Sequence, residues 1–197
     1  MSNSIPLTPK DRGGVCVAAS ILQPADIIIC THAGFKPWVI RNVTLSEVSH
    51  ALVYIGSSQI IEAVPPKVRQ ANVDAALADD TVAVVYRRKN MGPGQVQSVI
   101  AYLRRQIGAD YDTLGAGGAG IHSNLAACAV AGIILCVAAN EGLLASSKRF
   151  FCSELVLAAF REAGRPITNT HPNLSTPNTI VQAYSSGVLD YIGHIKP

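Results

Sequence analysis

Hydrophobic positions along the 197-residue chain follow two periods, and the change of period separates predicted strands from predicted helices. Short β-branched runs bounded by turn residues predict strands over 26–30, 50–56, 59–64, 81–86 and 188–195. Apolar residues spaced by three and four predict helices over 93–107, 152–163 and 178–185, with weaker helical segments at 37–41 and 74–78. Strands in the middle of the chain with helices on both sides indicate a single α+β domain with an antiparallel sheet.

The helix that begins at Cys152 has the clearest pattern. Counted from this cysteine, its apolar face consists of Leu155, Val156, Ala159, Phe160 and Ala163. Gly164 then stands where a left-handed C-terminal cap is expected. Cys152 therefore lies in the first turn, where free N–H groups and the helix dipole favour a thiolate and can hold a developing oxyanion. The alternative interpretation is a small buried core residue, because free cysteine is commonly buried.

A hairpin around Ser57-Ser58 brings a histidine and an acid together. If paired residues across it sum to 112 or 114, Glu62 lies opposite His50 or Leu52. In both registers His50 and Glu62 point to the same face of the sheet. A carboxylate beside an imidazole fixes its tautomer and supports its positive charge, as in the base and orienter of a catalytic triad. Taken alone, each residue is more typical of a solvated strand end.

Three short motifs follow one another along the chain: Ser49 to Gly56 (SHALVYIG), Ile60 to Val64 (IIEAV) and Phe151 to Val156 (FCSELV). This order of histidine, acid and cysteine resembles the circularly permuted branch of the NlpC-type papain-like superfamily, in particular its YiiX/YaeF group, which is related to lecithin retinol acyltransferase. Asp26-Ile27-Ile28 is similar to the GD-I-I strand of these domains, with Ala25 in place of glycine. Gly108 to Asp112 is similar to their G-x-x-YD stretch.

The resemblance implies a papain-like antiparallel sheet packed against the helix that carries the cysteine. It also implies that Cys152 is the nucleophile, His50 the base and Glu62 its orienter. The expected activity is that of a cysteine amidase or peptidase that cleaves an amide or isopeptide bond, including those of cell-wall peptides, through an acyl-thioester on Cys152. Candidates for oxyanion or substrate contacts are Tyr54, Ser153 and Tyr111.

Residues 113–148 depart from the pattern of the family, in which the cysteine follows the YD motif closely. Within this apolar insertion, residues 119–139 contain no formal charge. Three interpretations are a transmembrane helix, a buried helical hairpin, and an apolar lid or channel over the cysteine. The lid favours an alternative function, a fatty-acyl transferase or lipid hydrolase with the same Cys-His-Glu site. A second alternative is a catalytically inactive binding module.

Charge and cysteine content limit the kinds of ligand and partner that we expect this protein to bind. The chain is 15% charged with a net charge of +3, and its densest basic run, Arg87-Arg88-Lys89, is too short to indicate nucleic-acid binding. Its five cysteines are odd in number and form no CxxC pair, so neither a disulfide framework nor a zinc site is expected. We expect no cofactor and no metal. The expected substrate is a peptide, a peptidoglycan-like molecule or an acyl lipid, with membrane contact but no span, and the oligomeric state is left open.

The N-terminus is expected to contribute a loose arm over residues 1–14. The apolar run from Val15 to Leu22 is short and interrupted by polar residues, so it is interpreted as part of the fold rather than as a secretory signal. The protein is accordingly expected to be cytoplasmic as made, with export by a non-signal route left open.

Overall fold

A computed structural model describes residues 14–31, 48–80, 82–112 and 149–196 of the chain. In these residues eight strands form one sheet in the order β7-β6-β4-β3-β2-β1-β5-β8. Neighbouring strands are antiparallel except β6 and β7, which pair in parallel. The sheet confirms the α+β class and the antiparallel arrangement.

The strands are short, and those at the centre of the sheet are buried on both faces. Their bounds are Ile27–Cys30 for β1, His50–Gly56 for β2, Gln59–Val64 for β3, Lys67–Asn72 for β4, Ala83–Arg88 for β5, Asp110–Tyr111 for β6, Arg149–Phe150 for β7 and Leu189–Lys196 for β8. The described helices are Val73–Ala76 for α1, Pro93–Gln106 for α2, Cys152–Glu162 for α3 and Pro177–Ser185 for α4. Short 3₁₀ turns occupy Ala19–Ile21 and Pro172–Leu174.

Helix ends follow from local sequence signals. Proline at the first position fixes a helical φ at the start of α2 and α4, and the Thr176 side chain caps α4 by accepting the Thr179 N–H. Gly164 confirms the predicted cap of α3, since it adopts φ +67° and donates to the Arg161 carbonyl. Glu154 reaches back to the Phe151 N–H and closes the first turn of α3.

The hairpin between β2 and β3 confirms one of the two predicted registers. Leu52 lies opposite Glu62 and Val53 opposite Ile61, so that paired positions sum to 114. Ser57 and Ser58 both have positive φ, as a two-residue hairpin turn with the right-handed strand twist requires. His50, two residues before Leu52, is therefore diagonal to Glu62.

The clearest differences from the sequence prediction are in β5 and β4, and the two-residue strands β6 and β7 were also not predicted. The strand predicted over 81–86 lies at Ala83–Arg88, and so includes Arg87 and Arg88 of the basic run. The reason is that the Arg87 guanidinium forms two 2.7 Å bonds with the buried carboxylate of Asp26, which keeps this arginine in the sheet. Strand β4 was not predicted, because of its six residues just one, Val68, is buried.

The core has two parts, one on each face of the sheet. On one face Ala51, Val53 and Ile61 pack with helices α2, α3 and α4, including Leu103, Phe160 and Ile180. On the other, Ile28, Leu52, Ile60 and Val85 pack with Leu22 and with Val73 and Leu77 around α1. The segment 15–17 joins the sheet at β8, where Val17 donates to the His194 carbonyl and His194 donates to the Val15 carbonyl.

None of the helices described for the chain is long and apolar enough to cross a lipid bilayer. Most of the expected arm, residues 1–13, and the whole apolar insertion, 113–148, lie outside the described residues, as does the helical segment predicted at 37–41.

Candidate active site

Cys152 is the first residue of α3, where the sequence places it. The N–H groups of a first helical turn have no acceptor within the helix, and the dipole adds partial positive charge at this end. The thiol is 3% exposed and belongs to the core between α3 and the sheet. The helix end favours negative charge on the sulfur, and burial holds the side chain in a fixed position.

His50 lies between this thiol and a carboxylate. Its Nε2 is 2.8 Å from Oε2 of Glu62, and its side chain also hydrogen-bonds that of Cys152. Since Nε2 is engaged by Glu62, we infer that Nδ1 faces the sulfur. Burial alone would lower the pKa of His50, but the hydrogen bonds and negative charges of Cys152 and Glu62 raise it to about 10. These two partners therefore favour the cationic form of the imidazole.

Glu62 is fully buried and uses its two carboxylate oxygens separately. Oε2 contacts His50, while Oε1 accepts a hydrogen bond from Nε of Arg69 at 2.9 Å and lies 2.8 Å from its Nη2 in an ion pair. Burial by itself would raise the pKa of Glu62, but His50 and Arg69 together lower it. The carboxylate thus stays ionised and supports the imidazolium.

A second cysteine, Cys30, lies beside Cys152 and His50, but its environment favours the protonated thiol. Cys30 is the register partner of His50 on β1 and is fully buried. Burial, followed by the negative charge and hydrogen bond of Asp80, raises the pKa of the Cys30 thiol well above its usual value. The protonated form of Cys30 is therefore favoured at neutral pH.

Acidic and phenolic groups surround the start of α3. Burial raises the pKa of Tyr111, and the negative charges of Cys152 and Asp112 raise it further. Burial likewise raises the pKa of Glu154 to about 7, aided by Asp112 and opposed by the Phe151 N–H. Tyr111 is thus a neutral hydroxyl whose pKa is raised in part by the negative charge of Cys152.

The predicted site residues fall into two groups. His50, Glu62 and Cys152 come together, and Tyr111 lies in the electrostatic field of the cysteine. Tyr54 instead has its hydroxyl at the hairpin turn, where it accepts the Ser58 N–H at 3.1 Å. Ser153 is fully buried, and its hydroxyl has no hydrogen-bond partner within the described residues. The roles of Ser153 and Tyr111 stay predictions.

Sequence reasoning missed Arg69, Cys30, Asp80 and Asp112 as neighbours of the site. Cys30 follows from pairing β1 with β2, since it lies opposite His50. Arg69 follows from folding the chain back at Pro65-Pro66, which brings it opposite Glu62. The contact between Arg69 and Glu62 could therefore have been predicted from the register, provided that β4 was recognised as a strand.

Comparison with known proteins agrees with this fold. No protein-family model matches the chain. A curated relative, the probable lipoprotein peptidase YaeF of Escherichia coli K12, is 23% identical over 202 aligned positions that cover 92% of this chain and 73% of YaeF. The crystal structure of the metalloprotein YiiX from Escherichia coli O157:H7 superposes with a TM-score of 0.62 and 17% identity, covering 89% of this chain and 98% of YiiX.

The description of YiiX as a metalloprotein raises the question of a metal here. Across the ranges that the structure describes, no group of three or more His, Cys, Asp or Glu side chains is arranged to hold an ion. In the candidate site, the Glu62 oxygens are engaged by His50 and Arg69 rather than directed to a shared centre. These residues do not fit a metal site. The chain is thus similar in sequence to YaeF and shares its fold with YiiX.

Proposed function

We propose that the protein is a cysteine hydrolase that cleaves an amide or isopeptide bond through an acyl-thioester on Cys152. The observation that carries the proposal is the buried relay in which Cys152 is hydrogen-bonded to His50 and His50 lies 2.8 Å from Glu62. This is the nucleophile–base–orienter arrangement of acyl-transfer enzymes. Its relation to YaeF, a probable lipoprotein peptidase, supports a peptidase-type reaction.

The proposed reaction proceeds in two acyl transfers. His50 holds the proton of the Cys152 thiol, and the thiolate attacks the substrate carbonyl carbon to form a carbon–sulfur bond. The carbonyl oxygen becomes an oxyanion, which N–H groups at the start of α3 stabilise, with Tyr111 as a candidate second donor. As the carbon–nitrogen bond breaks, His50 gives its proton to the leaving amine.

The second transfer regenerates the cysteine. Neutral His50 accepts a proton from a water molecule, whose oxygen attacks the thioester carbonyl. The carbon–sulfur bond then breaks, the acid leaves, and the thiolate–imidazolium pair is restored. Glu62 supports the imidazolium in both halves, which is the role of an orienter rather than of a proton carrier.

Alkylation of Cys152 tests this pair without knowledge of the substrate. The rate of reaction of Cys152 with iodoacetamide is measured against pH by mass spectrometry, in the wild type and in His50→Ala. We expect Cys152 to be alkylated faster than an exposed reference thiol at neutral pH in the wild type, and this difference to be lost in His50→Ala. Cys16, which is exposed, provides a reference thiol in the same digest.

Turnover supplies the second test, with a panel of fluorogenic peptides and isopeptides as probes. Cys152→Ala is expected to abolish cleavage while the circular dichroism spectrum and melting temperature stay close to those of the wild type. An active Cys152→Ala variant, or a Cys152 that reacts like Cys16 whether or not His50 is present, would contradict the proposal.

The uncharged stretch 119–139 favours a second candidate, a fatty-acyl transferase or lipid hydrolase with the same thioester chemistry. An apolar wall near the cysteine would bind an acyl chain rather than a peptide. Incubation with a p-nitrophenyl fatty ester followed by mass spectrometry of the Cys152 peptide distinguishes the two. A trapped fatty-acyl adduct favours the lipid enzyme, and cleavage of peptides without such an adduct favours the amidase.

A further inference from the structure

We propose that Arg69 is a positioning residue of this site, which holds the Glu62 carboxylate in the orientation that His50 requires. The inference rests on the proposed thiolate chemistry and extends the Cys152–His50–Glu62 relay by one member. Within the described part of the chain, Arg69 contacts the relay through Glu62, so its effect on Cys152 is indirect.

The register of the sheet produces this contact. Arg69 on β4 lies directly opposite Glu62 on β3, and His50 on β2 is diagonal to Glu62 on the other side. Side chains opposite one another across an antiparallel pair point to the same face. Three consecutive strands thus present a histidine, a carboxylate and a guanidinium in one row.

The contact fixes the rotation of the carboxylate. Two nitrogens of Arg69 hold Oε1, at 2.9 and 2.8 Å, and so leave Oε2 for Nε2 of His50 at 2.8 Å. Rotation of the carboxylate about its terminal torsion would break bonds on both sides. Charge-assisted bonds of this kind are about twice as strong as neutral ones, so the orientation is held firmly.

Burial makes the contact more than a surface ion pair. Glu62 is fully buried while the Arg69 side chain is 54% exposed, so the guanidinium covers the carboxylate from the solvent side. The neighbouring ion pair between β4 and β6 is different, since Lys67 and Asp110 are 57% and 60% exposed and 3.4 Å apart. Pairs of that exposed kind contribute little to structure.

This neighbouring pair provides a matched control. Arg69→Gln and Lys67→Gln each remove one positive charge from β4, at positions two residues apart. Of the two, Arg69→Gln removes the ion pair with Glu62, whereas Lys67→Gln removes the exposed pair with Asp110. Arg69→Lys keeps the charge but cannot form the two-nitrogen contact. The three variants therefore separate loss of orientation from loss of charge.

Two readouts are measured in each variant: the pH profile of Cys152 alkylation by iodoacetamide, and the Glu62 carboxyl titration by ¹³C NMR, assigned with Glu62→Gln. We expect Arg69→Gln to slow alkylation at neutral pH by about 10-fold or more, the size of a lost charge-assisted hydrogen bond, and to raise the Glu62 pKa. Arg69→Lys is expected to restore part of both, and Lys67→Gln to match the wild type.

An alkylation profile and a Glu62 titration in Arg69→Gln that match those of Lys67→Gln would overturn the inference while leaving the proposed function intact. If Cys152 is alkylated equally fast in the wild type and in His50→Ala, both the thiolate chemistry and the positioning role of Arg69 are overturned. Circular dichroism of each variant ensures that a change reflects the site rather than loss of folding.

Discussion

His50 and Glu62 belong to adjacent strands and are offset by two residues in the register. Their side chains nevertheless meet in a 2.8 Å hydrogen bond between Nε2 of His50 and Oε2 of Glu62. The bond is buried, so its charge is weakly screened by solvent. Glu62→Gln keeps the shape of the side chain but removes the charge. We expect the His50 pKa to fall and Cys152 alkylation at neutral pH to slow by about 10- to 100-fold, because a buried charge pair is lost.

The measurement is the NMR titration of His50 together with the alkylation rate of Cys152. Asp110→Asn serves as the control, since Asp110 is an exposed carboxylate of the same sheet. If Glu62→Gln and Asp110→Asn behave alike, Glu62 does not support the imidazolium.

Stability should depend on pH through Glu154. Burial raises its pKa from an ordinary value near 4.5 to about 7, so the folded state holds this proton more tightly than the unfolded state. The resulting stabilisation is fully present below pH 4.5 and is lost as the pH rises through 7. Relative to Glu154→Gln, we expect the wild-type free energy of unfolding to fall by about 2–3 kcal/mol across this range.

Urea unfolding at several pH values measures this difference, in which titrations common to both proteins cancel. Glutamine retains an oxygen for the Phe151 N–H, so the helix cap is preserved. Asp112→Asn should move the transition to lower pH, because the charge of Asp112 raises the Glu154 pKa. Equal pH dependence in the wild type and Glu154→Gln would exclude Glu154 as the titrating group.

The ion pair between Arg87 and Asp26 is expected to be important for folding. Asp26 is fully buried at the start of β1, and Arg87 binds both of its oxygens at 2.7 Å. Arg87→Met leaves that carboxylate buried without its cation, which should cost about 3–5 kcal/mol. Lys89→Met removes a more exposed pair with Asp190, 3.4 Å apart, and should cost under about 1 kcal/mol.

Chemical denaturation of the two methionine variants makes the comparison directly. Similar free energies of unfolding for Arg87→Met and Lys89→Met would show that the buried Asp26 carboxylate does not depend on Arg87 as its ion-pair partner.

Gly193 is required by the close approach of the N-terminal segment. A Cβ at this position would stand 2.7 Å from Cγ1 of Val17 and 2.8 Å from the Val15 carbonyl oxygen, and the residue has φ +146°. Gly193→Ala is therefore expected to lower the free energy of unfolding by about 2 kcal/mol or more. Gly94→Ala, where a Cβ meets open space in α2, should leave stability unchanged or raise it by up to about 1 kcal/mol.

Thermal unfolding of both alanine variants gives the result. A Gly193→Ala protein as stable as Gly94→Ala would mean that segment 15–17 does not dock on β8 as described.

Much of the fold was predictable because its signals are local. The hairpin required just the alternation of 50–64 and its serine turn, and α3 required its apolar face and Gly164. Choosing between the two registers was not possible from the sequence, since both place His50 and Glu62 on one face. The site was predictable to the extent that its residues lie on these local elements.

Other features depend on tertiary contacts. Arg87 was expected to end its strand because it is charged, but its ion pair with Asp26 keeps it in the sheet. This partner is 61 residues away in sequence, so local patterns do not reveal it. Ala25 adopts φ +72°, where a side chain is unfavourable, at the position of the glycine in the GD-I-I strand. Arg69 was overlooked because β4 has little hydrophobic content, although its register partner is Glu62.

The order of the strands also bears on how the protein assembles. His50, Glu62 and Arg69 lie within 20 residues on three strands joined by tight turns, so their contacts close small loops and can form early. Cys152 joins them from a helix that is made about 80 residues later in synthesis. Until α3 docks, the sulfur has neither its imidazole nor a completed helix end. Under the proposed chemistry, the reactivity of Cys152 therefore requires α3 to dock on the sheet, which makes alkylation of this thiol a reporter of that contact.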